Sequence, residues 1–357
     1  MADRTPAATL VLGATGISGA AVARASRAVG SEVWGVSRRT PHQEGVQHVP
    51  ADLLDDGSVQ AALSPLRPDT VHITTWVRRP TEAENIEVNS AIVRRALDAV
   101  GPGGSVRHVA LMTGLKHYLG PFEAYAQGAV PDTPFHEDEP RLDAPNFYYA
   151  QEDALFEAAA RYGFTWSVHR SHTVIGHAVG NAMNMALTIA VAASIARETD
   201  RPLVFPGSQQ QWNGLTDVTD ADVLGEQMVW AASTPAAADQ AFNVVNGDVF
   251  RWRWMWPRIA DWFGVAWEGW DGQDRPFEQQ MAGAAQQWSA IAERHGLAEA
   301  DVDRLASWWH SDSDLGRPME VVTDMARSRA AGFTVHRSSW DSFTAQFERY
   351  RRERLIP

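Results

Sequence analysis

Lysine and arginine together number 31 in this chain of 357 residues, and a single one of them, Lys116, is lysine. Arginine serves wherever a fixed positive charge suffices, because its guanidinium is planar and always protonated. Acid–base chemistry instead uses a compact ammonium whose proton can be tuned. Lys116 stands in Leu111-Met112-Thr113-Gly114-Leu115-Lys116-His117-Tyr118, at the end of an apolar run. Downstream, Asn146-Phe147-Tyr148-Tyr149-Ala150-Gln151-Glu152-Asp153 offers two phenols as acid partners. Usage alone does not separate a working lysine from a survivor of an arginine-biased composition. The elements around it do.

Those elements alternate between strand and helix. Ala7–Leu12 is a short apolar run that reads as a fully buried strand. It enters Gly13-Ala14-Thr15-Gly16-Ile17-Ser18-Gly19 and then a helical stretch, Ala20–Val29. Glycines so spaced allow a tight turn, close approach of backbone to a pyrophosphate and close helix–strand packing, with the helix N-terminus facing the anion. A bare glycine pattern is weak evidence; one that follows a strand and opens a helix is a strong dinucleotide signal. The next strand, Glu32–Val36, ends in Ser37-Arg38-Arg39, where an NAD site would usually place an acid for the ribose 2′-hydroxyl. Two arginines and a serine favour a 2′-phosphate, so the expected cofactor is NADP(H). Val46–Pro50 reads as a third strand running to Asp52 and Leu53, and Asp52 can face an adenine ring or cap a helix.

Thr70–Trp76 is a fourth strand whose end, Thr74, Thr75 and Trp76, would lie beside the cofactor. Glu84–Val100 has helical periodicity, and His108–Met112 is a fifth strand that delivers Thr113 and Lys116 to the same edge. Asn146–Tyr162 reads as a helix with the tyrosines near its start, and Thr165–Arg170 as a further strand. This alternation predicts an α/β protein with a Rossmann-type, doubly wound parallel sheet. Residues 1–175 are expected to form the NADP-binding part, with a strand added from about 204–250. Residues 176–357 are expected to form a smaller, mostly helical substrate lobe interleaved with that core. Short strand candidates in the second half are Val204–Gly207, Leu215–Val218 and Phe242–Asn246.

Ten of the fifteen tryptophans follow residue 250 and are expected to pack that lobe. Asp217, Asp220 and Asp222 resemble a metal cluster at first sight, but the stretch Thr216–Asp222 reads as the cap of a helix beginning near Ala221, and no metal is expected. His169, His172 and His177 match no ligand spacing and are assigned to core or loop. A net charge of −13 argues against nucleic acid as a partner. The longest apolar stretch, near Met183–Ala196, is broken by polar residues, and the first residues carry no export core, so no membrane partner is expected. The absence of cysteine fits a reducing cytoplasm.

Taken together, several stretches resemble one family: the plant progesterone 5β-reductases and iridoid synthases with their bacterial relatives, an atypical branch of the extended short-chain dehydrogenases/reductases. The chain reads as a bacterial-type member. The motifs are Gly13–Gly19, Ser37-Arg38-Arg39, Thr113-Gly114-Leu115-Lys116-His117-Tyr118-Leu119-Gly120-Pro121-Phe122-Glu123, and Asn146-Phe147-Tyr148-Tyr149 with Glu152-Asp153. Further matches are Trp166–Arg170, Phe242-Asn243-Val244, Asn246–Phe250 and Leu355-Ile356-Pro357. The resemblance implies NADPH-dependent reduction of an activated C=C bond, with hydride added β to a carbonyl. Ordinary short-chain dehydrogenases keep Tyr and Lys in a Tyr-x-x-x-Lys pattern; here Glu152 follows Tyr148 and Asp153 follows Tyr149 at that spacing.

The resemblance places the ammonium at Lys116 instead. Register with the family motif favours Tyr148 as the acting phenol, and register with the ordinary helix would favour Tyr149. An enolate forming on the substrate would be stabilised by the phenol, an oxyanion-hole role, with the ammonium supporting it. The expected cofactor contacts are Gly13, Thr15, Gly16, Ile17, Gly19, Ser37, Arg38, Arg39, Asp52, Leu53, Thr74, Thr75, Trp76, Thr113 and Val174. Trp76, Phe122, Tyr149, Met185 and the Ser171–Met185 segment are expected to wall a small enone or enal substrate. A homodimer is compatible with this picture. Competing readings are a carbonyl reductase or epimerase of the same fold, and a non-catalytic NADP(H)-sensing protein.

Overall fold

Seven short strands, each flanked by helices, form one parallel sheet in this computed structural model, which describes residues 7–41, 43–120, 131–181 and 183–357. The strands are β1 (Ala8–Leu12), β2 (Glu32–Ser37), β3 (Val46–Pro50), β4 (Thr70–Ile73), β5 (His108–Gly114), β6 (Thr165–Ser171) and, after three short strands outside the sheet, β10 (Gln240–Val244). Their order across the sheet is β10-β6-β5-β4-β1-β2-β3, with every pairing parallel. The order reverses between β1 and β4, so their C-terminal ends open a crevice where ligands of such sheets bind.

Side-chain alternation divides the sheet's two faces. Leu10, Leu12, Val109 and Leu111 point into one apolar cluster with α2 (Asp56–Leu63), α3 (Glu82–Val100) and α5 (Phe147–Tyr162). Val11, Val33, Ala110 and Val244 point the other way, against α1 (Ile17–Ala28) and α8 (Ala221–Ser233). The sheet is therefore wound on both sides, as the sequence predicts. Local signals set the helix starts. Thr81 and Glu84 form a capping box at α3, and Asp220 accepts from the Asp222 amide to cap α8. The acidic run there is a cap. Among the described residues no group of three or more His, Asp or Glu side chains is placed to hold a metal, and no helix is long and apolar enough to cross a membrane.

The largest apolar cluster lies outside the sheet. Helix α6 (Met185–Glu198) packs among α9 (Trp252–Phe263), α11 (Ala284–His295) and α14 (Ser339–Arg352), with Trp252, Trp256 and Trp288 fully enclosed. These three rings thus supply core, each removing a large apolar area from water, while Trp254 and Trp267 stay exposed. The stretch read as strand Leu215–Val218 does not join the sheet. Thr216 makes isolated bridges to Phe250 and Val321, and the pairing strands are instead β7 (Val174–Ile175) and β9 (Thr219–Asp220). Two further two-residue strands, β8 (Leu203–Val204) and β11 (Trp267–Glu268), pair with each other. Short apolar runs fit strand and buried loop equally well, which explains the difference.

Candidate active site

Strand β5 ends at Gly114, and after Leu115 the chain turns into a four-residue helix, α4 (Lys116–Leu119). Lys116 is 6% exposed. Its ammonium lies 4.8 Å from the Phe147 ring centroid and 5.9 Å from that of Trp76, and the two rings stack at 5.0 Å. Such an aromatic bracket favours a cation and restricts where its stem can go.

Asn146 joins this lysine segment to the tyrosine helix. Its amide nitrogen donates to the Lys116 carbonyl at 2.7 Å, while its side-chain oxygen caps α5 by accepting from the Tyr148 amide at 3.0 Å. A second first-turn amide, that of Phe147, donates to Glu82 of α3 at 2.7 Å. Helix starts leave such amides unsatisfied, so these contacts fix how α5 meets β5. Tyr148 then reaches the end of β5 because Gly114 has no side chain. A Cβ there would lie 3.2 Å from the Tyr148 hydroxyl and 3.0 Å from the Ser171 carbonyl. Gly114 is a site residue with no site role assigned from sequence; its signal was its place between Thr113 and the lysine.

Tyr149 is placed differently. Its hydroxyl donates to the His117 carbonyl at 2.6 Å and accepts from the Leu142 amide at 2.9 Å, whereas the Tyr148 hydroxyl faces Gly114; neither tyrosine is among the residues that line the cleft described below. Glu152 and Asp153, where an ordinary member would carry its lysine, both bind Arg141, at 2.8 Å and 2.7 Å. Burial pushes the Glu152 carboxyl upward, offset in part by Arg170 and Arg141. This side of α5 is committed to structure.

A cleft of about 480 Å³ runs from the glycine-rich turn to the lysine, within the usual size of small-molecule sites. Gly13, Thr15, Gly16, Ile17, Arg38, Arg39, Thr74, Thr75, Trp76, Lys116 and Val174 all line it. The turn leading into α1 is built for a close approach: a Cβ at Gly19 would fall 2.1 Å from the Gly13 carbonyl oxygen. No side chain caps the N-terminus of α1 and its first turn has no acid, so its amides suit a phosphate. At the end of β2 the Ser37 hydroxyl donates to the Arg39 carbonyl at 2.5 Å, holding the turn on which exposed Arg38 and Arg39 sit. These residues fit a dinucleotide.

Other expected contacts lie off the cleft. Gly19 and Ser37 support it from behind. Asp52 accepts from the Leu54 amide in a turn after β3, and Leu53 packs on the sheet core. Thr113 is buried beneath the site, its carbonyl accepting from Ser171. Met185 is 2% exposed in the lobe core, whereas Met183 lines the cleft. Phe122 lies outside the described residues. Sequence reasoning missed the cleft residues that come from the far end of the chain: Trp309, His310 and Asp314 on α12 (Trp308–Leu315), and Arg317 just beyond. Arg78, after β4, and His172, after β6, also line it.

A doubly wound parallel sheet with a glycine-rich turn at its crevice is the fold of the oxidoreductases of the short-chain dehydrogenase/reductase type. The PRISE-like Rossmann-fold domain family matches residues 69–357, and the chain belongs to that family. It is 38% identical over 362 residues to an (S)-8-oxocitronellyl enol synthase of Nepeta cataria, covering 98% of this chain and 92% of that protein. It is 36% identical over 362 residues, with the same coverage of 98% and 92%, to the 3-oxo-Delta(4,5)-steroid 5-beta-reductase of Arabidopsis thaliana. Among solved structures, an epimerase of Methanothermobacter thermautotrophicus superposes with a TM-score of 0.70 at 15% identity, covering 97% of this chain and 92% of that one. A short-chain dehydrogenase/reductase superfamily protein of Agrobacterium tumefaciens with bound NAD gives 0.64 at 17% identity, with 98% of each chain covered. These two show the shared fold.

Proposed function

We propose that this protein reduces the activated C=C bond of a small enone or enal, with NADPH as the hydride source and the carbonyl retained in the product. The observation that supports the reading is the joining of the Lys116 segment to the first turn of the Tyr148 helix by the two hydrogen bonds of Asn146, with the Tyr148 hydroxyl lying over Gly114 at the end of β5. The naming of two relatives as an enol synthase and a steroid 5β-reductase supports it. NADPH, when bound, would supply a hydride to the β-carbon, and a proton from solvent would complete the α-carbon. The chain's own residues then manage the negative charge that develops on the substrate oxygen. The Tyr148 hydroxyl donates to that oxygen, and the Lys116 ammonium stabilises the charge through space. Trp76 and Phe147 shield this end of the cleft from water, which strengthens both contacts.

In this reading residues 1–175, with the strand at 240–244, hold the cofactor, and 176–357 supply the interleaved substrate lobe. The α1 N-terminus receives the pyrophosphate, and Arg38 and Arg39 the 2′-phosphate. The cysteine-free composition supports a cytoplasmic location. The test is product analysis: NADPH consumption with cyclohexenones and open enals should yield the saturated carbonyl compound. Recovery of an allylic alcohol would mean carbonyl reduction instead, and no turnover of any enone would remove the reading. Cofactor choice is checked separately. Arg38→Ala should raise the dissociation constant of NADPH by about tenfold or more, in line with loss of a charge-assisted contact, and that of NADH far less. An equal effect on both would refute the phosphate assignment.

A further inference from the structure

We infer that Tyr118 is a positioning residue for Lys116, setting the direction of the lysine stem from the far side of α4. This rests on the ene-reductase reading above, since it assigns to a further residue the placing of that reading's cation. A helix of four residues does not hold itself in water, so its place is set by what it packs against. No side chain caps its start. Successive helix positions turn by about 100°, so Tyr118 points about 200° round the axis from Lys116. The lysine lines the cleft, and the tyrosine is buried in the interior.

That interior side is a small core of its own. Leu115, Tyr118 and Leu119 pack with Phe135, Met319 and Val321, which come from distant parts of the chain. The Tyr118 ring lies parallel to that of Phe135, with centroids 5.0 Å apart and an interplanar angle of 3°. Phe135 is itself fixed, its amide donating to the Val322 carbonyl at 2.8 Å. Ring contact alone would let α4 slide, because apolar contact is non-directional. The hydroxyl supplies the direction.

Tyr118 donates to Asn243 Oδ1 at 2.7 Å and accepts from Arg170 Nη1 at 3.1 Å. Asn243, fully buried on β10, gives its side-chain N–H groups to the carbonyls of Phe135 and Asp324 at 3.1 and 2.9 Å. Its oxygen is thereby turned to the tyrosine. The Asn243 amide donates to Glu137 at 2.8 Å, and the other oxygen of that carboxylate accepts from the Arg327 amide at 2.8 Å. Arg170 stands on β6 opposite Thr113 of β5, with its guanidinium 5.5 Å from the Tyr118 ring centroid. The hydroxyl is therefore held from β6 and β10, the two strands on the side of β5 away from β4. Asn146 holds the Lys116 carbonyl from α5. With its backbone pinned there and its far side pinned to the sheet, α4 has one rotational setting, and the lysine stem one direction.

Because Lys116 is the single lysine, protein grown on lysine labelled with carbon-13 at Cε gives one lysine NMR signal, whose position and pH midpoint report its surroundings. In Tyr118→Phe that signal should be displaced. On a cyclohexenone, kcat should fall about tenfold or more with KM and NADPH affinity within about threefold, as expected when a reacting group is misplaced and binding is kept. Arg170→Gln, which removes the donor to the hydroxyl, should displace the same signal. Tyr162→Phe is the control: its hydroxyl binds Asp98 at 2.8 Å at the far end of α5, and both readouts should stay at wild type. A signal at its wild-type position in both Tyr118→Phe and Arg170→Gln overturns the inference. So does a displaced signal with kcat unchanged, or an equal displacement in Tyr162→Phe. Displacement in a protein whose wild type reduces no enone would sink the ene-reductase reading alone. Wild-type turnover with an undisplaced signal in the variants would sink only the positioning role.

Discussion

Tyr148→Phe and Lys116→Met should each lower enone reduction by at least roughly a hundredfold while NADPH still binds, as expected for loss of an oxyanion donor or its supporting charge. The two substitutions remove chemistry and keep shape. Phenylalanine at 148 preserves the ring contact with Phe147, whose centroid is 4.3 Å away. Methionine at 116 keeps an unbranched stem between the Phe147 and Trp76 rings but gives up the cation. The informative control is Tyr149→Phe. Its hydroxyl serves the His117 carbonyl and the Leu142 amide, so its loss should cost about 1–3 kcal/mol of stability by stranding buried backbone groups. Its turnover should stay within a few-fold of wild type at a temperature where it is folded. Steady-state kinetics with fluorescence titration of NADPH decides the matter. Wild-type rates in both Tyr148→Phe and Lys116→Met would sink the proposed roles, and a collapse confined to Tyr149→Phe would move the acid one residue along the helix.

What could be read from the chain divides along physical lines. The strand, glycine turn and helix of residues 7–29 are local, and each part constrains the next within a few bonds. The placement of Lys116 after a buried strand was legible for the same reason. Tyr148 and Tyr149 were not separable by spacing, because adjacent helix positions point about 100° apart and only packing decides which one meets β5. Here Gly114 opens space on one side, and the His117 carbonyl takes the other hydroxyl. That Met185 faces the helical core and not the cleft is not legible, because an apolar residue at a helix start carries no mark of direction. The α12 wall was invisible for a stronger reason. Arg317 meets His172 across 145 residues, and no local pattern near Trp308–Leu315 announces that contact.

Acidification should unfold this protein cooperatively well above the pH at which its carboxylates alone would fail, because three imidazoles are enclosed in the sheet. His72 on β4, His108 on β5 and His169 on β6 share the face covered by α8. Thr165, His108, Ser167, His169 and Gln227 form one hydrogen-bonded chain, with contacts of 2.8–2.9 Å. Burial lowers His72 and His108 to about 3 and His169 to about 4, against an ordinary value of 6.5; neighbouring imidazoles add to the effect for His72 and His108. Above pH 6.5 the rings are neutral in both folded and unfolded chains, and stability is complete. Between 6.5 and about 4 the unfolded chain takes up protons that the folded one refuses, so each ring withdraws about 1.4 kcal/mol per pH unit. Three such rings reach the ~5–15 kcal/mol stability of an ordinary domain within a few pH units. Tryptophan fluorescence should therefore report unfolding near pH 4–5. His72→Leu, which removes an imidazole whose Nδ1 is enclosed without a partner, should shift the midpoint to lower pH. An unchanged midpoint in a variant as stable as wild type at pH 8 would mean that the histidine row does not set the acid limit.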